Sequence, residues 1–385
     1  PVRIHLTTQE KEKAEMALLD DYLKDLAPLV NLDCGSHNPA GVTRAAEIMK
    51  GYFDSIGFTT ELVDLGPEVG HGLIARNKPD ADHIDVLLNG HLDTVFPDGT
   101  AAKRPLSIDG DHAHGPGCSD CKGGVLAAYW ACKLARPEDL ERLSICCAFN
   151  PDEEIGSGAS HKWLASIGAK SKCALIVEAA RANGELVRSR KGVGDYTVRF
   201  HGRAAHAGNN PGAGANANVA AMRFALAAYE LADKKIGTTV NPGVIEGGTA
   251  PNVIPEEALV RLDTRYWFDA DGDALDKQIR ELASRTWVEG VTQELSASCG
   301  PAMPLSDATR ALVEKINAAA REAGFEATWV DAGGGSDGNR IAKAGIPVVD
   351  GCGPAGAAFH TDREYLRLDT VEERIRMLVN FFKLC

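Results

Sequence analysis

Seven residues able to bind a metal or move a proton recur along this chain: His91, Asp93, Asp120, Glu153, Glu154, Glu178 and His360. Neutral imidazole and carboxylate are good Zn²⁺ ligands. Two histidines with several carboxylates suit two Zn²⁺ ions, each with mixed nitrogen and oxygen ligation and an open position for water. Two such ions, about 3.5–4 Å apart, need a carboxylate between them. Asp120 lies centrally enough in the sequence to be that bridge. Glu153 and Glu154 are adjacent, so one can ligate while the other faces water as a general base. Asp93 follows His91 by two positions, where a carboxylate can hold the second ring nitrogen and fix the tautomer. A histidine in an ordinary turn would be the better reading of His91 if such metal-binding residues occurred only once. Their repetition argues against that.

Buried strands must position these groups. The stretch from Ile84 to Val95 reads I-D-V-L-L-N-G-H-L-D-T-V. Its apolar first half is typical of a strand inside a parallel sheet, and Asn89-Gly90 is expected to break it just before His91. Leu143–Phe149 ends in Asp152-Glu153-Glu154, and Cys173–Val177 ends in Glu178. Open α/β sheets bind ligands beyond the carboxyl ends of their strands, which is where these residues fall. The Gly-rich stretch 109–124 opens onto an apolar helix, Val125–Leu134, placing Asp120 beside a helix N-terminus that favours an anionic group. Helical spacing covers 10–29 (Met16, Leu19, Tyr22 and Leu23 on one side), Thr43–Ile56 and 158–166; Thr59–Leu65 and Gly72–Asn77 read as strands. The alternation predicts an α/β domain with a mainly parallel, doubly wound sheet.

The pattern changes after Lys191. Gly194–His201 alternates as a half-exposed antiparallel strand would. A helix at Asn216–Leu231, strands near 243–248 and 258–267, a helix at Asp273–Trp287 and a strand at 291–298 follow. This β-α-β-β-α-β order matches an α+β ferredoxin-like domain. It is expected to occupy 192–301 as an insertion into a catalytic domain formed by 1–191 and 302–385. Beyond it, Asp307–Ala323 reads as a helix, Glu326–Val330 and Ile346–Asp350 as strands, and Asp369–Leu384 as the last helix.

A chain of 385 residues exceeds one ordinary core, and its formal net charge of −13 argues against nucleic acid or an anionic membrane as partner. No apolar run spans a bilayer and no signal-peptide pattern opens the sequence. Ten cysteines, several in apolar runs, are not a disulfide scaffold. A reducing cytoplasm is expected, with the periplasm as the alternative if a leader has been removed.

H-L-D-T-V, G-x-G-x-x-D-x-K-G-G, D-E-E-x-G-S, V-E and F-H-T-D, in this order, resemble the dizinc aminoacylase/carboxypeptidase family. That family includes acetylornithine deacetylase and succinyl-diaminopimelate desuccinylase, and the chain is most similar to its glutamate carboxypeptidase type. The resemblance implies a zinc-exopeptidase fold with two Zn²⁺ per subunit, Co²⁺ or Mn²⁺ being possible substitutes. His91 and Glu178 would hold one ion, Glu154 and His360 the other, with Asp120 bridging. Glu153 would be general base and acid, and Asp93 would orient His91. H-G-R-A-A-H-A-G resembles the segment whose second histidine, His206, stabilises an oxyanion in the neighbouring subunit of a homodimer joined through the lid. N-V-I-P and R-L-D-T-R resemble the segments that give Asn252 and Arg265 to a substrate carboxylate. The loop containing Gly334, Gly335 and Ser336 resembles one that contacts substrate. The implied partner is a small molecule or short peptide with a free carboxylate. A surface ion pair is the plain alternative for Arg265, as a solvated loop histidine is for His206.

Two departures stand out. Cys121 replaces the family's usual Met and creates Cys118-x-x-Cys121, a redox or metal signature without the second pair that a Cys₄ site needs. Glu185 stands near where glutamate-releasing members carry a basic residue, with Arg188, Arg190 and Lys191 further on, which leaves side-chain preference open. His112-Ala113-His114 falls where the family has a turn. The expected activity is hydrolysis of an amide whose amine half carries a carboxylate. Three competitors are hydrolysis of another C–N bond, such as deamination of an aromatic amino acid or cleavage of a non-peptide N-acyl compound; metal-dependent binding without turnover; and redox chemistry at Cys118/Cys121.

Overall fold

The computed structural model describes Thr8 to Cys385, with side chains from Ala17 onward. His5 and the side chain of Met16 lie outside the described residues.

One compact unit comprises the described chain up to Ser189 together with Leu305–Asp331 and Ser336–Cys385. Its six-stranded sheet runs in the order Thr59–Val63, Gly72–Arg76, Ile145–Asn150, Val86–His91, Ala174–Ile176, Val348–Val349. The last four strands are mutually parallel and the first two antiparallel, so the sheet is mainly parallel. Helices Thr8–Val30, Lys122–Leu134, Asp307–Ala323 and Asp369–Leu384 supply much of the core, with Tyr22, Leu126, Ile316 and Phe381 fully buried. The inner strands of such a sheet are buried on both faces, which is why they read as unbroken apolar runs, whereas the edge strand Thr59–Val63 stays partly exposed.

Asn89-Gly90 does not break the central strand. Pairing continues through Gly90 opposite Phe149 and His91 opposite Asn150. Buried Asn89 stays in the sheet because its Nδ2 donates to the Ala148 carbonyl at 2.9 Å. Gly90 is required by close packing, since a Cβ there would meet Val177 Cγ2 at 2.9 Å and Val125 Cγ2 at 3.0 Å. His91 is therefore the last residue of the strand.

Other boundaries move for local reasons. The second helix begins at Pro39, not Thr43, because the Asn38 side chain accepts the Gly41 N–H at 2.9 Å as a cap. The stretch 109–124 contains a strand, His112–His114, within a five-stranded second sheet that also holds Tyr365–Arg367 and Gly353–Ala357. The strand expected over 326–330 is Trp329–Ala332.

The other unit comprises Arg190–Pro304 and Ala332–Gly335. Its antiparallel sheet has the order Thr239–Gly247, Glu257–Tyr266, Gly192–His201, Thr292–Gly300, the ferredoxin-like arrangement. Helices Ala217–Tyr229 and Asp269–Ala283 bury Phe224 and Ile279 against Val198 and Val260. The second helix lies about one turn before its expected place, because Trp287 folds back to donate from Nε1 to the Leu282 carbonyl at 3.0 Å. Arg190 and Met303 exchange backbone hydrogen bonds at 2.9 and 3.0 Å.

Candidate metal centre

His91, fully buried, ends the central strand. Its Nε2 lies 3.1 Å from Asp120 Oδ1 and 3.5 Å from Glu178 Oε1. Asp120's second oxygen, Oδ2, lies 3.2 Å from His360 Nε2, which is also 3.1 Å from Glu154 Oε2. One carboxylate thus faces two imidazoles with separate oxygens, and each imidazole has its own glutamate. That donor set fits divalent cations in mixed nitrogen–oxygen ligation, and ligand atoms of His91, Asp120 and Glu154 lie within 4.8 Å of one another. His360 reaches the group from a loop with φ near +62°, a left-handed conformation that costs a non-glycine residue energy and tends to be kept at functional sites.

The second ring nitrogen of His91 is held by Asp93, more closely by its backbone carbonyl (3.0 Å) than by its carboxylate (3.3 Å). The Asp93 carboxylate has further work. It accepts the backbone N–H groups of Glu153 and Glu154 at 3.1 and 3.2 Å and the Ser36 hydroxyl at 2.6 Å. The short turn carrying the two glutamates is fixed from below by that one buried acid.

Electrostatics follow from crowding. Burial pushes the Glu153 carboxyl well above its ordinary range, helped by Asp337, Glu178 and Glu154. Burial likewise carries Glu154 up to about 8. Asp120 goes the other way: hydrogen bonds from His360 and His91 outweigh its burial and hold it well below the usual carboxylate range. His360 is raised to about 9, chiefly by its hydrogen bond to Asp120.

Glu364 had no warning in the sequence beyond being an acid four residues after His360. It is 1% exposed, and its carboxylate accepts backbone N–H groups from Gly117 (2.9 Å), Ser119 (3.0 Å) and Asp120 (3.0 Å). One loop therefore supplies His360 and also clamps the segment carrying Asp120. Glu364→Gln would set an amide NH₂ against a backbone donor. We expect a loss of about 1–3 kcal/mol in stability and a roughly 10–100-fold weaker metal affinity, read by thermal melting and zinc titration.

The decoys have other partners. All ten cysteines are free thiols. Cys118 and Cys121 are buried, which raises both thiols well above their ordinary value. Cys121 Sγ lies near His91 and Glu178 but donates to the Val177 carbonyl at 3.3 Å, so a protonated thiol is the form held there. His112 packs edge-on against Tyr365 at 4.6 Å, and His114 Nδ1 contacts the Glu364 carbonyl at 3.1 Å. Arg188 is bound through two hydrogen bonds to Asp331.

In the ferredoxin-like unit, exposed His206 pairs with Val253, next to exposed Asn252. Its Nδ1 accepts N–H groups from Gly208 and Asn209, both at 3.1 Å, which leaves the proton on Nε2. Arg265 is paired with Asp263 at 2.6–3.1 Å, and its Nη1 donates to Gly333 O at 3.3 Å. Gly334 O accepts from Arg190, and Gly335 belongs to the same short segment. Ser336 caps the helix Asp337–Ala342 and donates its hydroxyl to Asp350 at 2.5 Å.

Comparison with known proteins agrees with this geometry. The sequence model of Peptidase family M20/M25/M40 matches residues 87–384. Carboxypeptidase G2 of Pseudomonas sp. (strain RS-16) is 30% identical over 361 residues, covering 92% of this chain and 87% of its own. Succinyl-diaminopimelate desuccinylase of Gluconobacter oxydans (strain 621H) is 26% identical over 376 residues, with 91% and 94% covered. A tripeptidase from Staphylococcus aureus subsp. aureus Mu50 shares the fold at TM-score 0.79 and 21% identity, over 95% of this chain and 98% of its own. A chain that matches the family model over most of its length belongs to peptidase family M20/M25/M40 and is a metallohydrolase.

Proposed function

We propose that the chain is a zinc-dependent amide hydrolase that releases an amine bearing a free carboxylate from a short peptide or an N-acyl amino acid. The observation that carries this reading is Asp120, whose two oxygens face His91 and His360 separately. That is the arrangement a pair of ions would use, with Glu178 and Glu154 completing the set. Bound there, two zinc ions supply Lewis acidity toward the scissile carbonyl and toward water. Glu153 takes the proton from the attacking water and returns it to the leaving amine nitrogen, a role suited to a carboxyl raised by burial. The His206 Nε2–H is a donor for the developing oxyanion. Ser36 and Asp93 hold the turn that presents Glu153.

The exopeptidase direction rests on the similarity to a carboxypeptidase and on the motif resemblance that gives Arg265 and Asn252 to a substrate carboxylate. Arg265→Ala is expected to raise KM for carboxylate-bearing substrates by roughly 10–100-fold, the worth of a charge-assisted hydrogen bond from a guanidinium that Asp263 orients, with little change for the corresponding amides. Steady-state kinetics on both substrate forms checks this. Zinc-loaded protein assayed against N-acyl amino acids, dipeptides and aromatic amino acids tests the reading as a whole. Absence of turnover on all amides, or ammonia release from an aromatic amino acid instead, would overturn it.

We also propose a homodimer formed through the ferredoxin-like unit, with His206 serving the partner's site. On the helix Ala217–Tyr229, Met222, Leu226 and Tyr229 share one face and are 50%, 67% and 60% exposed. Ile245, also exposed, lies on the edge strand of the adjoining sheet. Leu226→Arg is expected to convert a dimer into a monomer in sedimentation velocity, and an unaltered sedimentation coefficient would remove this face from the interface. No helix among the described residues is long and apolar enough to cross a membrane. Placement in the cytoplasm rests on the free thiols.

A further inference from the structure

We infer that the cavity beside Glu154 receives the acyl half of the substrate and selects an uncharged, apolar acyl chain over a dicarboxylic one. This rests on the amide-hydrolase reading and adds the substrate class to it. The cavity, about 430 Å³, falls within the range of small-molecule sites. Glu154, a metal-ligand candidate, forms part of its wall, so the cavity adjoins the candidate metal centre. Its apolar lining is Val95, Phe96, Pro97 and Ile155. Val95 and Ile155 are 40% and 48% exposed, so their apolar surface is open to a ligand.

The wall is built rather than incidental. Thr94 N donates to Cys34 O at 2.9 Å and Ser36 N to Thr94 O at 3.0 Å, tying the segment around Gly35 to the loop after the central strand. A Cβ on Gly35 would meet Phe96 O at 2.4 Å, so only glycine permits this approach. At the far side, Asn38 Nδ2 donates to Asp98 Oδ1 at 2.8 Å.

Charge decides which half of the substrate enters. The ionisable groups in the lining are His37, Asp98 and Glu154, with no lysine or arginine. Arg104 stacks on Phe96 at 4.9 Å but is not part of the lining. A carboxylate placed here would meet Asp98 and would find no lysine or arginine among the lining residues. The amine half, which carries the carboxylate, is therefore excluded, and so is a succinyl-type acyl group. A neutral alkyl or aryl chain gains by covering Val95, Phe96 and Ile155.

The test compares N-acetyl, N-hexanoyl and N-succinyl derivatives of one amino acid with zinc-loaded enzyme. The N-hexanoyl compound should show kcat/KM at least about tenfold above N-acetyl, the worth of added methylenes in an apolar pocket, with N-succinyl below both. Phe96→Ala and, separately, Ile155→Ser should shrink the hexanoyl-to-acetyl ratio, with folding of each followed by thermal melting. Equal kcat/KM for all three acyl groups, or an unchanged ratio in both folded variants, would overturn the assignment. Calorimetric binding of the N-hexanoyl and N-acetyl compounds to the Glu153→Gln protein reads the pocket independently of turnover. Tighter hexanoyl binding there supports the pocket even if no amide is cleaved, in which case the hydrolase reading alone fails; equal binding removes the pocket.

Discussion

Glu153→Gln is expected to lower kcat by at least about 10²–10⁴-fold, the range for loss of a positioned acid–base group, while metal content stays at the wild-type level. Glutamine keeps the shape and can still accept a hydrogen bond, but it cannot take a proton from water or deliver one to an amine. The candidate ligands and Asp93 are already committed. Glu154, Glu178 and Asp120 face the two histidines, and Asp93 is occupied by two backbone N–H groups and Ser36. Because the Glu153 backbone is pinned by Asp93, the variant should keep the turn and its ligand Glu154 in place. Metal analysis by atomic emission beside kcat on an N-acyl amino acid checks both halves of the expectation. Retained turnover would place the base elsewhere. Loss of metal along with activity would make Glu153 a ligand instead.

Much of this centre was legible because its residues lie at the ends of apolar strands, and such runs are visible without knowing which strand neighbours which. His91 and Glu178 read out in this way, and Glu153 and Glu154 follow from the strand Ile145–Asn150. What stayed hidden depends on contacts between distant residues. Glu364 holds Gly117, Ser119 and Asp120 across 244 or more positions, and no local pattern announces an acid that serves backbone N–H groups. Ser36 on Asp93, 57 positions away, is of the same kind. The reading of Asn89-Gly90 as a strand break failed for a related reason: turn propensity was overridden by a buried amide bond to Ala148 and by the close approach of Val177. The small strand His112–His114 escaped because it is three residues long and sits between a short neighbour, Ser107–Asp109, and a strand far along the chain, Tyr365–Arg367.

Zinc is expected to raise the melting temperature of the metal-free protein substantially, and Asp120→Ala to erase most of that rise together with turnover. The carboxylates of Asp93, Asp120, Glu153, Glu154 and Glu178 converge on two imidazoles, and burial already lifts Glu153, Glu154 and Glu178 above their ordinary range. A divalent cation relieves that repulsion only in the folded chain, so its binding free energy adds to stability. At a thousandfold excess over Kd the gain is about 4 kcal/mol, worth roughly 5–10 °C in a chain of this size. Asp120 touches both imidazoles, at 3.1 and 3.2 Å, so alanine there removes a ligand from each half of the centre at once. Replacing Glu178 or Glu154 alone should spare part of the rise, since each stands beside only one histidine. Calorimetric titration of the wild-type protein should return two equivalents of zinc per chain, with fewer in the Asp120→Ala variant. A full thermal shift and two equivalents in that variant would show that the ions are held without a bridge, and the mechanism built on a shared carboxylate would have to be abandoned.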